Sequence, residues 1–351
     1  MSRLSRVLAA VLLAASGLFG AWYGTSFAQS NPSPLKVGFL LDSLKVERWQ
    51  TDTQSFQKRA QELGAQLLLE TAEGDDDLQY KQAKKLLDEG VKSLVIVPHD
   101  TDRAVQVVAL AKSKGVPVVS YDRLIRNSHI DVFIGADSVQ IGELQAESLV
   151  KLAPKGNYIL VEGAPTDINA RLLREGQKKV LQPYVDRGDI KIVGDVWCEN
   201  WNPLEAYTHM VELIASTKGD IAAVVASNDG TAGGVVQALE EAKLDGKVQV
   251  SGQDADLAAI IRVLHGTQAM TIYKPLKTEA IQAAELAVAL AKGQTPTSQQ
   301  SISVGNGNVP AVLNPVVIVT KNNVMQTVIK DGFQNLATIE KSLPPNEWPK
   351  N

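Results

Sequence analysis

The sequence predicts an α/β protein of two similar lobes, each a doubly wound and mainly parallel sheet. Three observations carry this. Short runs of Val, Ile and Leu alternate with longer stretches of helical period, the pattern of βα units. The chain has 351 residues, 44% of them hydrophobic, enough for roughly two cores at about 100–200 residues each. Two stretches look like copies of one another: GVKSLVIVPHDTDRAVQVVALAKSKGVPVVSYDR from Gly90 and GDIAAVVASNDGTAGGVVQALEEAKLDGKVQVSGQD from Gly219. Each runs strand, polar strand end, helix, glycine, strand, acidic strand end.

The elements follow in order. Residues 35–41 read as a strand and 47–63 as an amphipathic helix with Trp49, Phe56, Ala60 and Leu63 on its apolar side. A strand over 66–71 precedes a helix over 75–89, whose acidic first turn suits the macrodipole and which stops at Gly90. Asp75, Asp76 and Asp77 resemble the start of a calcium loop, but no bidentate Glu follows at the needed spacing, so they read as helix N-terminal charge. Strand 93–97, helix 104–114 and strands 118–121 and 132–135 complete the first half. The second half runs through strand 157–163, helix 170–184, strand 190–197, helix 204–216, strand 221–226, helix 232–244 and strand 248–253. Gly233 and Gly234 read as close helix packing, because no Lys-Ser/Thr follows to make a phosphate loop. Beyond them, strand 269–273, an alanine-rich helix over 278–292 and strand-like segments within 309–320 add no third domain, and the chain is expected to cross back between lobes there.

Composition removes several function classes. Lys plus Arg number 35 against 39 Asp plus Glu, with no basic block, so no nucleic acid is expected as a partner. The single Cys198, read as a small half-buried residue, excludes an internal disulfide and multi-cysteine metal sites. With only four histidines, His99 and His209 read as polar structural residues, and neither metal nor cofactor is expected. Residues 1–28 have the layout of a cleavable secretory signal: Arg3 and Arg6 without an acid, an apolar run over 7–23, and small residues flanking Phe27 at Ser26 and Ala28. An uncleaved anchor is the other reading of that run. Cleavage after Ala28 would remove two positive charges and leave 323 residues with a net charge of −6 in place of −4.

Open α/β sheets bind ligands at the carboxyl ends of their strands. Those positions hold Asp42 to Trp49, Pro98-His99-Asp100, Asp122-Arg123, Ala164 to Asn169, Trp197 to Trp201, Asn228-Asp229, Gln253-Asp254 and Lys274. Such Asp, Asn, Arg, Lys and Trp residues, without a nucleophile beside a histidine, suit a polyhydroxylated neutral molecule. Each sugar hydroxyl both donates and accepts, so carboxylates, amides and guanidinium groups can bracket it while an indole covers the C–H face.

The segments SLKVERWQTD, VVSYDRLIRN, GNYILVEGAPTDINA, LREGQKKVLQPYVDRGDIKIVGDVW, ASNDGTAGGVVQAL, VSGQDADLAAI and GTQAMTIYKP resemble those of bacterial periplasmic D-xylose-binding proteins, in the sugar-binding branch of the periplasmic binding protein family. The resemblance covers about residues 35–335. It implies the type I fold, with two lobes joined by a three-segment hinge that close over one pentose, and a loaded form that docks on the permease subunits of an ABC transporter. It also implies a monomer that works in the periplasm as a non-enzymatic sugar receptor, with a chemoreceptor left open as a second partner. Residues 33–138 with 275–308 would form the N-terminal lobe, 139–274 with 309–342 the C-terminal lobe, and 343–351 a flexible tail. By motif, the implied ligand contacts are Arg48, Asp122 and Arg123 from the first lobe, Asp167, Asn169, Trp201, Asn228 and Asp254 from the second, and Lys274 near a crossing, with Trp49 as an aromatic wall. The chain departs from the family pattern at Ile168, where a second Asn is usual, and at Ala164, where Ser is usual.

The residues alone also admit plainer roles. Arg48 fits a solvent-facing charge, Trp49 and Trp201 fit core or lobe-surface aromatics, and Asp122, Asn228 and Asp254 fit helix caps. Arg123 and Lys274 fit surface ion pairs, and Asp167 and Asn169 fit turn formers. Receptors for arabinose, ribose, galactose or glucose, a carbohydrate-active enzyme, and a sugar-responsive transcription regulator are the alternative functions.

Overall fold

The computed structural model of the chain describes residues 34–348 apart from 47, 297 and 299. The leader expected over 1–28 and the last three residues of the expected tail lie outside them.

The first half alternates as predicted: β1 (Leu35–Leu41), α1 (Arg48–Glu62), β2 (Ala65–Thr71), α2 (Asp76–Asp88), β3 (Ser93–Ile96), α3 (Val105–Ser113), β4 (Val118–Tyr121) and β5 (Val132–Gly135). The second half is α4 (Ser138–Leu152), β6 (Gly156–Glu162), α5 (Ile168–Asp186), β7 (Ile190–Trp197), α6 (Pro203–Thr217), β8 (Ala223–Ala226), α7 (Asp229–Glu241), β9 (Gln249–Val250), α8 (Leu257–His265) and β10 (Thr271–Tyr273). The chain ends with α9 (Leu276–Ala291), β11 (Gln300–Ser303), β12 (Asn308–Leu313), β13 (Val317–Val319) and α10 (Leu336–Ser342). No helix among the described residues is long and apolar enough to cross a membrane.

The strands form a seven-stranded sheet in the order β11-β12-β5-β4-β3-β1-β2 and a four-stranded sheet in the order β7-β6-β8-β9. Within these two sheets all pairings are parallel except β11 with β12. The antiparallel pair β10-β13 continues the second sheet through a bridge between Gln253 and Ile272. Parallel strands are covered on both faces, which is why they read as unbroken apolar runs. In β1, Val37, Phe39 and Leu41 point into a cluster with Phe56 of α1 and the alanines of α9, while Leu40 joins the opposite cluster with Leu86 and Val107. In β6, Ile159 and Val161 face the side of α6 and α7, and Tyr158 and Leu160 the side of α4 and α5.

Four differences from the sequence reading matter. The helix α4 was not anticipated, although Asp137 caps it by accepting from Gln140 N and Ile141, Ala146 and Leu149 form a buried stripe. The expected lobe boundary at 308/309 falls inside β12, which stays in the first sheet by pairing with β5 through Ala311 and Phe133. The chain therefore passes between sheets after β5, between β10 and α9, and after Leu313. Residues 343–348, expected as a flexible tail, are held in place: Leu343 is buried beside Ile339, and the Trp348 indole donates to the carbonyls of Glu340 and Leu343. Cys198 is fully buried rather than half-buried.

The packing reading of Gly234 holds. A Cβ built there lies 2.1 Å from the Pro203 carbonyl oxygen, so α6 and α7 touch backbone to backbone. Gly234→Ala must push the helices apart and should cost about 1–3 kcal/mol, typical of overpacking, read as a lower urea midpoint at an unchanged m-value. An unchanged midpoint would contradict the contact.

Candidate functional site

Strand ends from both sheets converge on one cleft. Arg48 and Trp49 occupy the first turn of α1, after β1, and Asp122 and Arg123 follow β4 directly. Asp167 and Asn169 sit at the N-terminus of α5, Trp201 in a 3₁₀ turn after β7, and Asn228 at the N-cap of α7. Asp254 follows the Gln253 bridge and Lys274 follows β10. All ten residues line one small cleft, together with Val46 and Gln253. Val46 and Gln253 were missed as individual residues. Gln253 carried a polar strand-end signal, whereas Val46 is an apolar loop residue with none.

Several plainer readings hold alongside placement in the cleft. Asn228 caps α7, its side-chain oxygen accepting from Thr231 N at 2.9 Å. Asp167 caps α5 by accepting from Asn169 N at 2.8 Å. Arg48, Arg123 and Lys274, at 3%, 3% and 4% exposure, are not surface charges. Trp49, at 2%, is both a core aromatic and a cleft wall, with Arg48 stacked 4.2 Å over its ring.

Buried charges must be paired, and the cleft is wired accordingly. Arg48 Nη1 donates to Asp122 Oδ1 at 2.5 Å and Nη2 to Asp52 Oδ2 at 2.9 Å. Arg123 Nε lies 2.6 Å from Asp167 Oδ2, and its Nη1 donates to Asp42 Oδ2 at 2.9 Å and to the Pro98 carbonyl at 2.7 Å. Lys274 Nζ sits 3.1 Å from Asp254 Oδ1 and 3.5 Å from Asp122 Oδ1. His99 Nδ1 meets the other Asp42 oxygen at 2.9 Å, which raises the imidazole above its usual value. Burial would lift Asp42 and Asp122, but Arg123 and His99 hold Asp42 low, and Arg48 with Lys274 holds Asp122 well below the usual range. At Asp167 burial outweighs Arg123, and the carboxyl is raised.

Some of these bonds run between the two halves. Arg123 to Asp167 is one, and Asn169 Nδ2 donating to Asp122 O at 3.1 Å and Oδ2 at 3.0 Å is another. Outside the cleft, Thr101 N donates to the Thr166 carbonyl at 3.3 Å and Arg171 Nη2 to Thr101 Oγ1 at 3.1 Å.

The backbone is bent to aim these groups. Asp122 has φ 61°, Trp201 φ 57° and Asp254 φ 101°, left-handed conformations that cost a non-glycine residue about 1–3 kcal/mol and gather at ligand clamps. Trp201 lies flat over Gly163, where a Cβ would come within 2.3 Å of the indole, and its Nε1 donates to Asp167 Oδ2 at 3.1 Å. Only glycine leaves the ring room to form the wall opposite the first half. Among the described residues, Arg48 Nε, Trp49 Nε1 and Asp254 Oδ1 are buried without a hydrogen-bond partner, so donor and acceptor capacity remains at the cleft.

Comparison with known proteins follows the same lines. The family described as "Periplasmic binding protein domain" matches residues 37–295. The D-xylose-binding periplasmic protein of Escherichia coli (strain K12) is 47% identical over 299 residues, covering 85% of this chain and 91% of that protein. Its namesake from Haemophilus influenzae is 44% identical over 316 residues, covering 90% and 95%. The solved structure of an ABC transporter solute binding protein from Clostridium phytofermentans with bound β-D-glucose superposes with a TM-score of 0.80 at 31% identity, covering 87% of this chain and 100% of that one. With the two-sheet architecture, the cleft at its strand ends and relatives spanning nearly their full length, this chain belongs to the periplasmic binding protein family.

Proposed function

We propose that this protein is a periplasmic receptor that captures D-xylose between its lobes and delivers it to the permease subunits of an ABC importer. The observation that carries the reading is the cleft itself: three cations and three carboxylates, two indoles and three side-chain amides contributed by both halves around one small cleft. A balanced pocket does not select a charged ligand, whereas alternating donors and acceptors suit vicinal hydroxyls. The two relatives of 44–47% identity named for D-xylose support that sugar over others.

Binding works by closure. Arg48, Trp49, Asp122 and Arg123 present one wall, and Asp167, Asn169, Trp201, Asn228 and Asp254 the other. A sugar that bonds to both walls stabilises the closed arrangement by the contacts only closure completes. The permease then reads closure on the outer surface. The protein acts as a monomer, reaches the periplasm by a cleaved leader, and offers the same closed surface to a chemoreceptor. It performs no chemistry on the sugar: the cleft carboxylates serve recognition, paired with cations as Asp122 with Arg48, Asp167 with Arg123 and Asp254 with Lys274.

A thermal-shift and calorimetry panel of D-xylose, L-arabinose, D-ribose, D-glucose and D-galactose tests the assignment. D-xylose at one hundred times its Kd should stabilise the protein by about 2.7 kcal/mol, with the other sugars weaker at equal concentration. A larger shift with D-glucose would make the protein a hexose receptor, and release of product from xylosides would make it an enzyme.

Asp254→Asn keeps a residue type that tolerates positive φ but removes the charge that accepts sugar hydroxyls. The loss of one charge-assisted hydrogen bond should weaken D-xylose binding by about 10–100-fold with the far-UV dichroism unchanged. Unaltered affinity would take Asp254 out of the site.

A further inference from the structure

Arg48 gathers more acid than the cleft requires. Besides Asp122 and Asp254, which line the cleft, it faces Asp52, one turn along α1, and Glu279, in the first turn of α9. Lys274 is the second cation beside Asp122 and Asp254. Four carboxyl groups therefore surround two cations. Asp52 is engaged through one oxygen: Oδ2 accepts from Arg48 Nη2 at 2.9 Å and from the Tyr121 hydroxyl at 2.9 Å, while Oδ1 has no hydrogen-bond partner among the described residues and burial raises the carboxyl. Glu279 is the group left over. It is 0% exposed, neither of its oxygens has a hydrogen-bond partner among the described residues, and its nearest cation atom, Arg48 Nη2, is 3.7 Å away and already donating to Asp52.

A buried carboxylate without donors is among the least favourable groups a protein can hold, and the usual outcome is a proton in place of the charge. Burial is the largest influence here. Arg48 and Lys274 pull the other way, Asp122 and Asp52 add to burial, and the carboxyl is pushed up to about 8. Tyr121, the remaining titratable group at this point, is itself held neutral by burial. Arg48, Asp122 and Lys274 all line the cleft, so water entering an opened cleft would reach the charged groups beside Glu279 and ease its desolvation.

We propose that Glu279 is a positioning residue that holds a proton in the closed, sugar-filled protein and releases it more readily in the open one, so that sugar affinity falls as the medium turns alkaline. The inference rests on the sugar-receptor reading. The sign follows from linkage: a carboxyl whose pKa is higher in the closed form takes up a proton on binding, so affinity is greatest below the open-form pKa and declines until pH passes the closed-form value. Ionised Glu279 competes with Asp122 and Asp52 for the Arg48 guanidinium and loosens the group that forms one wall of the cleft. The protonated form leaves Arg48 to them.

The test is calorimetric titration of D-xylose from pH 6 to pH 9 in pairs of buffers with different ionisation enthalpies. For the wild-type protein Kd should rise by about threefold to tenfold across the upper part of this range, with net proton uptake on binding. Glu279→Gln, and Glu279→Leu if the first variant folds poorly, should bind with a flat pH profile and no uptake. A wild-type profile that is already flat, or one that persists in Glu279→Gln and disappears instead in Asp52→Asn, overturns the proposal. An infrared difference spectrum of wild type against Glu279→Gln, recorded with and without saturating D-xylose, provides a second measurement. In the sugar-bound protein a protonated-carboxyl band present at pH 6.5 and lost by pH 9.5 supports the assignment, and an ionised Glu279 at pH 6.5 overturns it. If no sugar binds at any pH the receptor reading fails, while the infrared titration still decides the protonation of Glu279.

Discussion

A guanidinium leaves water at a cost of several kcal/mol unless carboxylates receive it, and Arg48 is 3% exposed at the first turn of a helix that would otherwise be unremarkable. Its partners come from four places along the chain: Asp52 on its own helix, Asp122 at the end of β4, Asp254 after the Gln253 bridge and Glu279 on α9. That requirement ties α1, β4 and α9 together beneath the cleft. The alanines at 280, 283, 284 and 287 let α9 approach the first sheet closely, and the same helix brings the fourth carboxyl. The polar floor of the site and the packing of the first lobe are thus one constraint.

A second cation extends the network between the halves. Arg123 is fixed from behind by Asp42 and the Pro98 carbonyl, and its remaining edge reaches Asp167 at the start of α5. Asp167 in turn holds the Trp201 indole, so one carboxylate caps a helix, orients an aromatic wall and meets the opposite lobe. Such shared use explains why left-handed backbone is tolerated at Asp122, Trp201 and Asp254. Each is held by several bonds or packed against glycine, and the strain aims a side chain into the cleft.

The site was legible where the signal was local and the fold where it was periodic. Asp, Asn, Arg, Lys and Trp at the ends of apolar runs marked the strand-end positions, and the resemblance to the sugar-binding family singled out ten of the twelve residues that line the cleft. Glu279 was not legible, because in sequence it is one acid in the first turn of an alanine-rich helix, a position that favours exposed charge for dipole reasons. Only the return of α9 to the first sheet places it beside Arg48. β12 was misassigned for a related reason: its pairing with β5 is a contact between segments far apart in sequence, and Pro310 and Pro315 around it mimic a linker. Trp348 made the opposite error possible, since a proline-rich terminus reads as frayed until an indole finds two carbonyls.

Ile168 shows how a side chain at the meeting of the two halves bears on closure. It begins α5, on the side of the second lobe, yet it is buried at 6% within the apolar cluster of the first lobe that contains Leu124, Ile125 and Ala104, with Leu172 packed against the same cluster. An Asn at this position would offer hydrogen bonds to a ligand or to water whether the cleft is open or shut. An Ile gains only when the lobes meet, because opening returns its side chain to water. Full burial of an Ile is worth about 1.5–3 kcal/mol, and each 1.4 kcal/mol shifts a two-state equilibrium about tenfold. Even a fraction of that burial would bias the empty protein toward closure. The sugar then supplies less of the closing free energy, and selectivity among sugars must come from the cleft itself, where the geometry of Arg48, Asp122 and Asp254 fixes which hydroxyls can be satisfied.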